Sequence, residues 1–288
     1  MPVKITEEES SINQDIEIRL FLEGVLEKYG YDFRNYSAAF MKRRLVSRMR
    51  KSSCGSISEM QHRMLNDPDF FHAVLLDISL NVTDMFRDPR FFASLRETAV
   101  PILKTYPYLK IWHAGCATGE EVYSLAMLLG EEDMLGRTIL YATDFNQAVV
   151  QKASEGIYPI EKIKTYAENY YKAGGKGSFT DYFTVKYDSA IVNNSLKKNI
   201  VFSDHNLVSD GVFGEMNMIV CRNVLIYFNR ELQNRVIGLL YDSLLPGGLL
   251  CLGTKETLLF SKHKDKFRQL HKLNIYRKAY DSERYKTV

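Results

Sequence analysis

The chain has 288 residues, 45% of them hydrophobic and 25% charged, which is a globular balance with room for one large or two modest domains. That composition excludes wholesale disorder, collagen and a disulfide-stapled miniprotein, and no apolar run approaches the length of a transmembrane helix. The formal charge of +3 is too small to argue for nucleic acid from the total.

The N-terminal ten residues carry Glu7, Glu8 and Glu9 where a secretory signal would be basic and then apolar, so no signal peptide is expected. Four cysteines (Cys54, Cys116, Cys221, Cys251) lie far apart without a CxxC pair. They predict neither a zinc site nor a disulfide framework, and they suit a reducing cytoplasm. The first hundred residues read as helices. Ser11 and Gln14 have capping-box spacing ahead of an apolar stretch through Leu26, and Ser56 and Glu59 repeat that signature. Asp67-Pro68 and Asp88-Pro89 each set a good N-cap before proline at a first helical position. Ahead of both, Ser37 to Lys51 holds six basic residues and no acid. With Phe40, Met41, Leu45 and Met49 packing inward, Arg44, Arg48 and Lys51 fall at i, i+4 and i+7 on one helical face. For a generic protein such a face is simply solvated.

From Leu109 the texture changes. Strands are expected at 110–114, 138–143, 199–203, 217–221 and 249–253, with helices at 120–129, 146–155 and 231–244, and a turn at Pro246-Gly247-Gly248. Strands alternating with helices predict an α/β, doubly wound, mostly parallel sheet that binds ligands at the C-terminal ends of its strands. Between Tyr158 and Lys198 the alternation lapses. A flexible loop is expected from Lys172 to Ser178, and a small antiparallel excursion from Phe179 to Val192.

Four stretches carry chemistry. Ala114-Gly-Cys-Ala-Thr-Gly-Glu-Glu121 follows the first strand, and its glycines allow a tight turn and close ligand approach. The spacing is neither G-x-G-x-x-G nor a P-loop. Alone it fits an anion site or a plain strand-to-helix turn equally. Asp144, ending the second sheet strand, tips the balance toward a nucleoside whose ribose hydroxyls it accepts, its other role being a helix cap. Asn81-Val-Thr-Asp-Met-Phe-Arg87-Asp-Pro89 joins the two halves and brings hydrogen-bonding groups and one fixed charge, where a polar linker is the plainer reading. Cys221-Arg-Asn-Val-Leu-Ile-Tyr-Phe228 follows a strand at the expected ligand edge, where Asn223 and Tyr227 can position a substrate or Val224, Leu225 and Phe228 can simply pack.

Taken in chain order, Asn81–Pro89, Ala114–Glu121, Ala142-Thr-Asp144, Asn206-Leu207 and Cys221–Phe228 together resemble the CheR family of chemotaxis-receptor glutamate methyltransferases, over nearly the whole chain. Met85, His113 and Val122 depart from the residues common there. The resemblance implies an all-helical N-terminal domain over residues 1–88 and an S-adenosylmethionine-dependent methyltransferase fold over 89–288, with an inserted β-subdomain at 159–198. Gly115, Glu121 and Asp144 would line the cofactor pocket, with Asp144 on the ribose. Asn206, Leu207, Asn223 and Val224 would surround the adenine and sulfur region. Asn81, Thr83 and Arg87 would close over the methionine end, and Arg87 and Tyr227 would be catalytic. The chemistry needs no metal and no general base, because a glutamate side chain with a reference pKa of about 4.3 is already ionised at neutral pH. The expected partner is the cytoplasmic helical domain of chemotaxis receptors, docked on Arg44, Arg48 and Lys51. The β insertion has two open readings, capture of a receptor C-terminal peptide as an added strand and a purely structural role. Neither nucleic acid nor direct membrane insertion is expected. The Asn/Asp-Pro-Pro-Tyr motif of amino-group methyltransferases is missing at Arg222 to Leu225. The alternatives are an S-adenosylmethionine-binding regulator without turnover and a methyltransferase acting on another protein.

Overall fold

A computed structural model describes residues 7–79 and 83–280. It divides into two compact units, Met1–Leu80 with Tyr227–Leu232, and Asn81–Ile226 with Gln233–Val288.

The first unit is built on α1 (Glu7–Tyr29), α2 (Ala38–Lys51), α3 (Ile57–Asn66) and α4 (Pro68–Ile78). Phe21, Val25, Met41, Leu45, Ile57, Met60, Met64 and Val74 form its buried interior. Two expected caps are present. Ser56 Oγ accepts the Glu59 N–H at 3.1 Å, and Asp67 Oδ1 accepts the Phe70 N–H at 3.1 Å beside Pro68. The expected start at Ser11 is corrected: α1 is already helical at Glu7. Residues 227–229 pack in this unit. Ser37 N–H donates to Tyr227 O at 2.8 Å, Asn229 N–H donates to Asn35 O at 2.9 Å, and the Phe228 ring meets Tyr36 edge-on at 4.9 Å.

The second unit opens with α5 (Pro89–Ser94), a wide π turn at Leu95–Ala99, and α6 (Val100–Leu103). Next come β1 (Leu109–Ala114), α7 (Glu120–Glu131), β2 (Thr138–Asp144) and α8 (Gln147–Glu155). The insertion follows as β3 (Ile157–Pro159), α9 (Ile160–Lys172), β4 (Phe183–Lys186), β5 (Ser189–Val192) and α10 (Asn194–Lys197). The sheet resumes with β6 (Ile200–Asp204) and β7 (Met216–Cys221), and after α11 (Arg230–Asp242) ends with β8 (Leu244–Leu252), β9 (Phe267–His271) and β10 (Ile275–Lys278). The strand order is β6-β2-β1-β7-β8-β10-β9. The first five strands run parallel, and β10 and β9 close the sheet antiparallel. The small sheet β3-β5-β4 is antiparallel, as expected. α7 is buried from Glu120 to Leu129, matching its apolar circumference.

The expectations fail at several points, each for a local reason. Pro246-Gly247-Gly248 is not a turn between elements but an irregularity inside β8, whose register against β7 jumps between Met216/Leu244 and Met218/Leu249. Gly247, at φ +76°, takes the kink. The loop at 172–178 is tied down: Gly175 N–H donates to Tyr170 O, Lys176 N–H to Glu131 Oε1, and Gly177 N–H to Tyr170 Oη. α9 went unread because tyrosines carry its buried side; Tyr166 and Tyr170 are fully enclosed. The β9–β10 hairpin is short and half exposed, so it shows little alternation.

Candidate functional site at the strand ends of the sheet

The C-terminal ends of β1, β2 and β7 lie side by side, with Ala114 beside Thr143 and His113 beside Val220. From β1 the chain passes into a loop with three residues at positive φ, namely Gly115 (+81°), Ala117 (+46°) and Gly119 (+90°). Gly115 and Cys116 both donate their N–H to Thr143 O at 2.8 Å, which folds the loop over the end of β2. At Gly115 a Cβ would lie 2.5 Å from Val224 Cγ2, so only glycine lets the β7 turn approach. Asp144 closes the arrangement. Its Oδ2 accepts the Ala117 N–H at 3.0 Å and its Oδ1 accepts the Asn146 N–H at 3.2 Å. Asn146 itself caps α8, accepting the Ala148 N–H at 3.1 Å. Asp144 therefore serves the loop, and the cap falls to its neighbour. Burial pushes the Asp144 carboxyl up, against the pull of its backbone N–H bonds.

Behind the loop lies a buried charge network that motif reading did not anticipate. Arg222 has no exposed side-chain surface. Its Nη1 donates to Glu121 Oε2, its Nη2 donates to Asp88 Oδ2 at 2.7 Å, and its guanidinium lies 3.9 Å from the Phe91 ring centroid. The second Glu121 oxygen faces His113 Nε2 at 3.2 Å. Burial alone would raise the Glu121 carboxyl, but Arg222 and His113, helped by the charge of Arg87, overcome it and hold the group below the usual carboxylate range. Asp88 corrects another expectation: it stands at the N-cap position before Pro89 but at φ +57° with no capping bond, because its carboxylate is spent on Arg222. The signal for Arg222 was a charge directly after the all-buried strand β7, a place a cation occupies only when paired.

The segment before α5 is fixed onto this unit. Phe86 N–H donates to Ser124 Oγ at 2.8 Å, Met85 O accepts from Asn169 Nδ2 at 3.2 Å, and Met85 and Phe86 are fully buried. Thr83 and Arg87 are half-buried on the same segment, and Arg87 comes close enough to act on Glu121. Asn81 lies outside the described residues. After β6, Asn206 Oδ1 accepts the Val208 N–H at 3.0 Å, an Asx turn that buries Leu207. After β7, Asn223 (φ +60°) and Val224 form a turn held by the buried Glu256, a residue with no motif signal beyond an acid close after a strand ending in glycine.

The remaining candidates belong to the helical unit. The α2 face turns toward α4: Arg48 Nε lies 2.6 Å from Asp77 Oδ2, Arg48 Nη2 donates to Ala73 O at 2.7 Å, and Lys51 Nζ reaches Asp77 Oδ1 at 3.2 Å. Arg44 spreads over the Phe40 ring at 5.6 Å, and Arg43 and Arg50 are exposed. Tyr227 packs against the Phe40 ring at 4.7 Å within this unit.

The donor set at the sheet edge fits S-adenosylmethionine. Asp144 suits a ribose diol, Glu121 and Asp144 suit a ligand bearing ammonium and sulfonium charge, and the glycine loop lets backbone approach both. Among the described residues no group of three His, Cys, Asp or Glu side chains is arranged to hold a metal, and no helix is long and apolar enough to cross a membrane.

Comparison with known proteins places the two domains. A family model described as "CheR methyltransferase, SAM binding domain" matches residues 81–275, and "CheR methyltransferase, all-alpha domain" matches residues 16–79. A relative from Pseudomonas putida named Cher3, whose name assigns it provisionally to the methyltransferases, is 48% identical over 94% of this chain and 99% of its own length. The Chemotaxis protein methyltransferase of Listeria monocytogenes is 30% identical, covering 83% of this chain and 89% of that protein. Chemotaxis protein methyltransferase 2 of Pseudomonas aeruginosa is 28% identical, covering 81% and 84%. With both of its domains matched in order, the chain belongs to the CheR methyltransferase family.

Proposed function

We propose that the chain transfers the methyl group of S-adenosylmethionine to glutamate side-chain carboxylates of chemotaxis receptors, giving the methyl ester and S-adenosylhomocysteine, in the cytoplasm and in the service of sensory adaptation. The observation that carries this reading is electrostatic. At an edge furnished with Asp144 and Glu121 for the cofactor, Arg87 is a cation whose charge reaches Glu121 from the segment fixed by Phe86 and Asp88. The names of the Listeria and Pseudomonas relatives support the chemotaxis setting.

The cofactor supplies an electrophilic methyl on a sulfonium. The protein's work is positioning, which is worth roughly 7–11 kcal/mol of barrier. Asp144 would hold the ribose, the Gly115 loop and the Asn223–Val224 turn would enclose the nucleoside, and Glu121 would supply negative charge near the ammonium of the methionine end. Thr83 would close over that end. Arg87 orients the incoming carboxylate, which needs no base because it arrives ionised. A single cation suffices: the carboxylate's charge is lost as the ester forms, so tighter ion pairing would favour the ground state. Receptor docking uses the basic α2, where Arg44 offers charge to an acidic helix while Arg48 and Lys51 are shared with Asp77, Lys51 from the exposed side. The edge strand β4, exposed from Thr184 to Lys186 and paired on one side by β5, suits capture of a receptor C-terminal peptide as an added strand.

Labelled-methyl transfer to receptor-bearing membranes tests the reading. Wild type labels the receptor, and Arg87→Ala loses most of its kcat/KM while keeping its thermal unfolding profile. Near wild-type turnover by Arg87→Ala removes Arg87 from this role.

A further inference from the structure

Glu256 follows β8 and is almost wholly enclosed, at 4% exposure. Its carboxylate accepts four backbone N–H groups. Oε2 takes those of Gly253 and Asn223, the latter at 3.0 Å, and Oε1 takes those of Val224 at 2.8 Å and Leu225 at 2.7 Å. A carboxylate has about four acceptor sites, so this one is filled by main chain. Three of its donors are successive residues of the β7 turn, which begins in the left-handed region at Asn223. The fit is close: a Cβ on Gly253 would stand 2.6 Å from Glu256 Oε2 and 2.9 Å from Asn223 N. The far end is gripped as well, because Asn274 Nδ2 donates to Gly253 O at 2.8 Å and to Glu256 O at 2.7 Å. Burial pushes the Glu256 carboxyl up and the four N–H bonds pull it down, so its ionised form depends on that grip.

The clamp matters because of what the turn carries. Val224, gripped through its N–H, fills the space a Gly115 side chain would need, so the height of the turn sets the wall opposite the glycine loop. We propose that Glu256 is a positioning residue for the cofactor: as a buried anion in a nest of backbone N–H groups it fixes Asn223 and Val224 against the Gly115 loop, and so sets the cofactor's affinity without touching it. The inference rests on reading that edge as the S-adenosylmethionine pocket. A glutamine at 256 keeps the shape but turns an NH2 group toward two backbone donors, leaving them unpaired.

Calorimetric titration of the full chain with S-adenosylhomocysteine tests this. Wild type binds; its failure to bind would overturn the pocket reading itself and not the clamp alone. Glu256→Gln raises Kd by about tenfold or more, as expected for lost charge-assisted hydrogen bonds. Hydrogen exchange at the Asn223, Val224 and Leu225 amides speeds up while exchange along β1 does not. Asn274→Ala, which loosens the far end, raises Kd by about threefold or more. Glu131→Gln is the control for stability alone. It removes a buried carboxylate at the far end of α7, held by Arg96, Tyr170 and Tyr182, lowers Tm, and leaves Kd within about twofold. Unchanged Kd in Glu256→Gln beside binding wild type overturns the proposal. If Glu256→Gln does not fold, Asn274→Ala decides, and unchanged Kd there overturns it equally.

Discussion

On α2, Lys42 meets Asp15 and Lys51 meets Asp77 where water reaches both partners, whereas in the α/β unit Arg222 is fully enclosed between Glu121 and Asp88. Both are ion pairs by distance, yet they do different work. Exposed pairs contribute about 0–1 kcal/mol and exchange partners easily, as the docking proposed for α2 requires. A buried arginine is costly to leave unpaired, so Arg222 holds geometry: it joins the segment carrying Arg87 and Asp88 to the first turn of α7, which carries Glu121.

The largest expected effect that would break this contrast is on stability. Arg222→Ala should lose about 3–5 kcal/mol in urea unfolding followed by Trp112 fluorescence, while Lys51→Ala loses about 1 kcal/mol or less. Equal losses would erase the distinction. Next comes affinity. Asp144→Asn should raise the S-adenosylhomocysteine Kd by roughly 100-fold through weakened ribose hydrogen bonds, read by calorimetry. A shift under about threefold would remove Asp144 from the pocket. A pH series sharpens the picture of Glu121. Its folded pKa is depressed, so its stabilisation is present above the unfolded value near ~4.3 and is lost as pH falls through the folded one. The stability gap between wild type and Glu121→Gln should therefore narrow below about pH 4, and a gap that widens there contradicts the assignment. The smallest effect concerns the surface. Arg44→Glu with Lys51→Glu should raise the receptor KM by roughly three- to tenfold with kcat nearly unchanged, and an unchanged KM rejects docking on α2.

What was legible beforehand follows the same division. The glycine loop, Asp144 and the parallel strands were readable because each depends on local chemistry: positive φ at Gly115 and Gly119, an acid at a strand end, alternation of strands with helices. The caps at Ser56 and Asp67 were readable for the same reason. Partners far apart in sequence were not. Asp88 looks like an N-cap until Arg222 claims its carboxylate, and Glu256 looks like an ordinary loop acid until three amides of the Asn223 turn converge on it. Arg48 looks like a docking charge until Asp77 on α4 is found beside it. α9 hid its buried face behind tyrosines, whose hydroxyls reach Glu120 from Tyr166 and Glu131 from Tyr170.

The most direct test of the central claim is the chemical nature of the modified site. Receptor labelled by this chain with S-adenosylmethionine is treated with mild alkali and mapped by mass spectrometry. The account predicts alkali-labile methyl groups, released as methanol, on glutamate side chains alone. An alkali-stable methyl group, or one mapped to nitrogen, would contradict it.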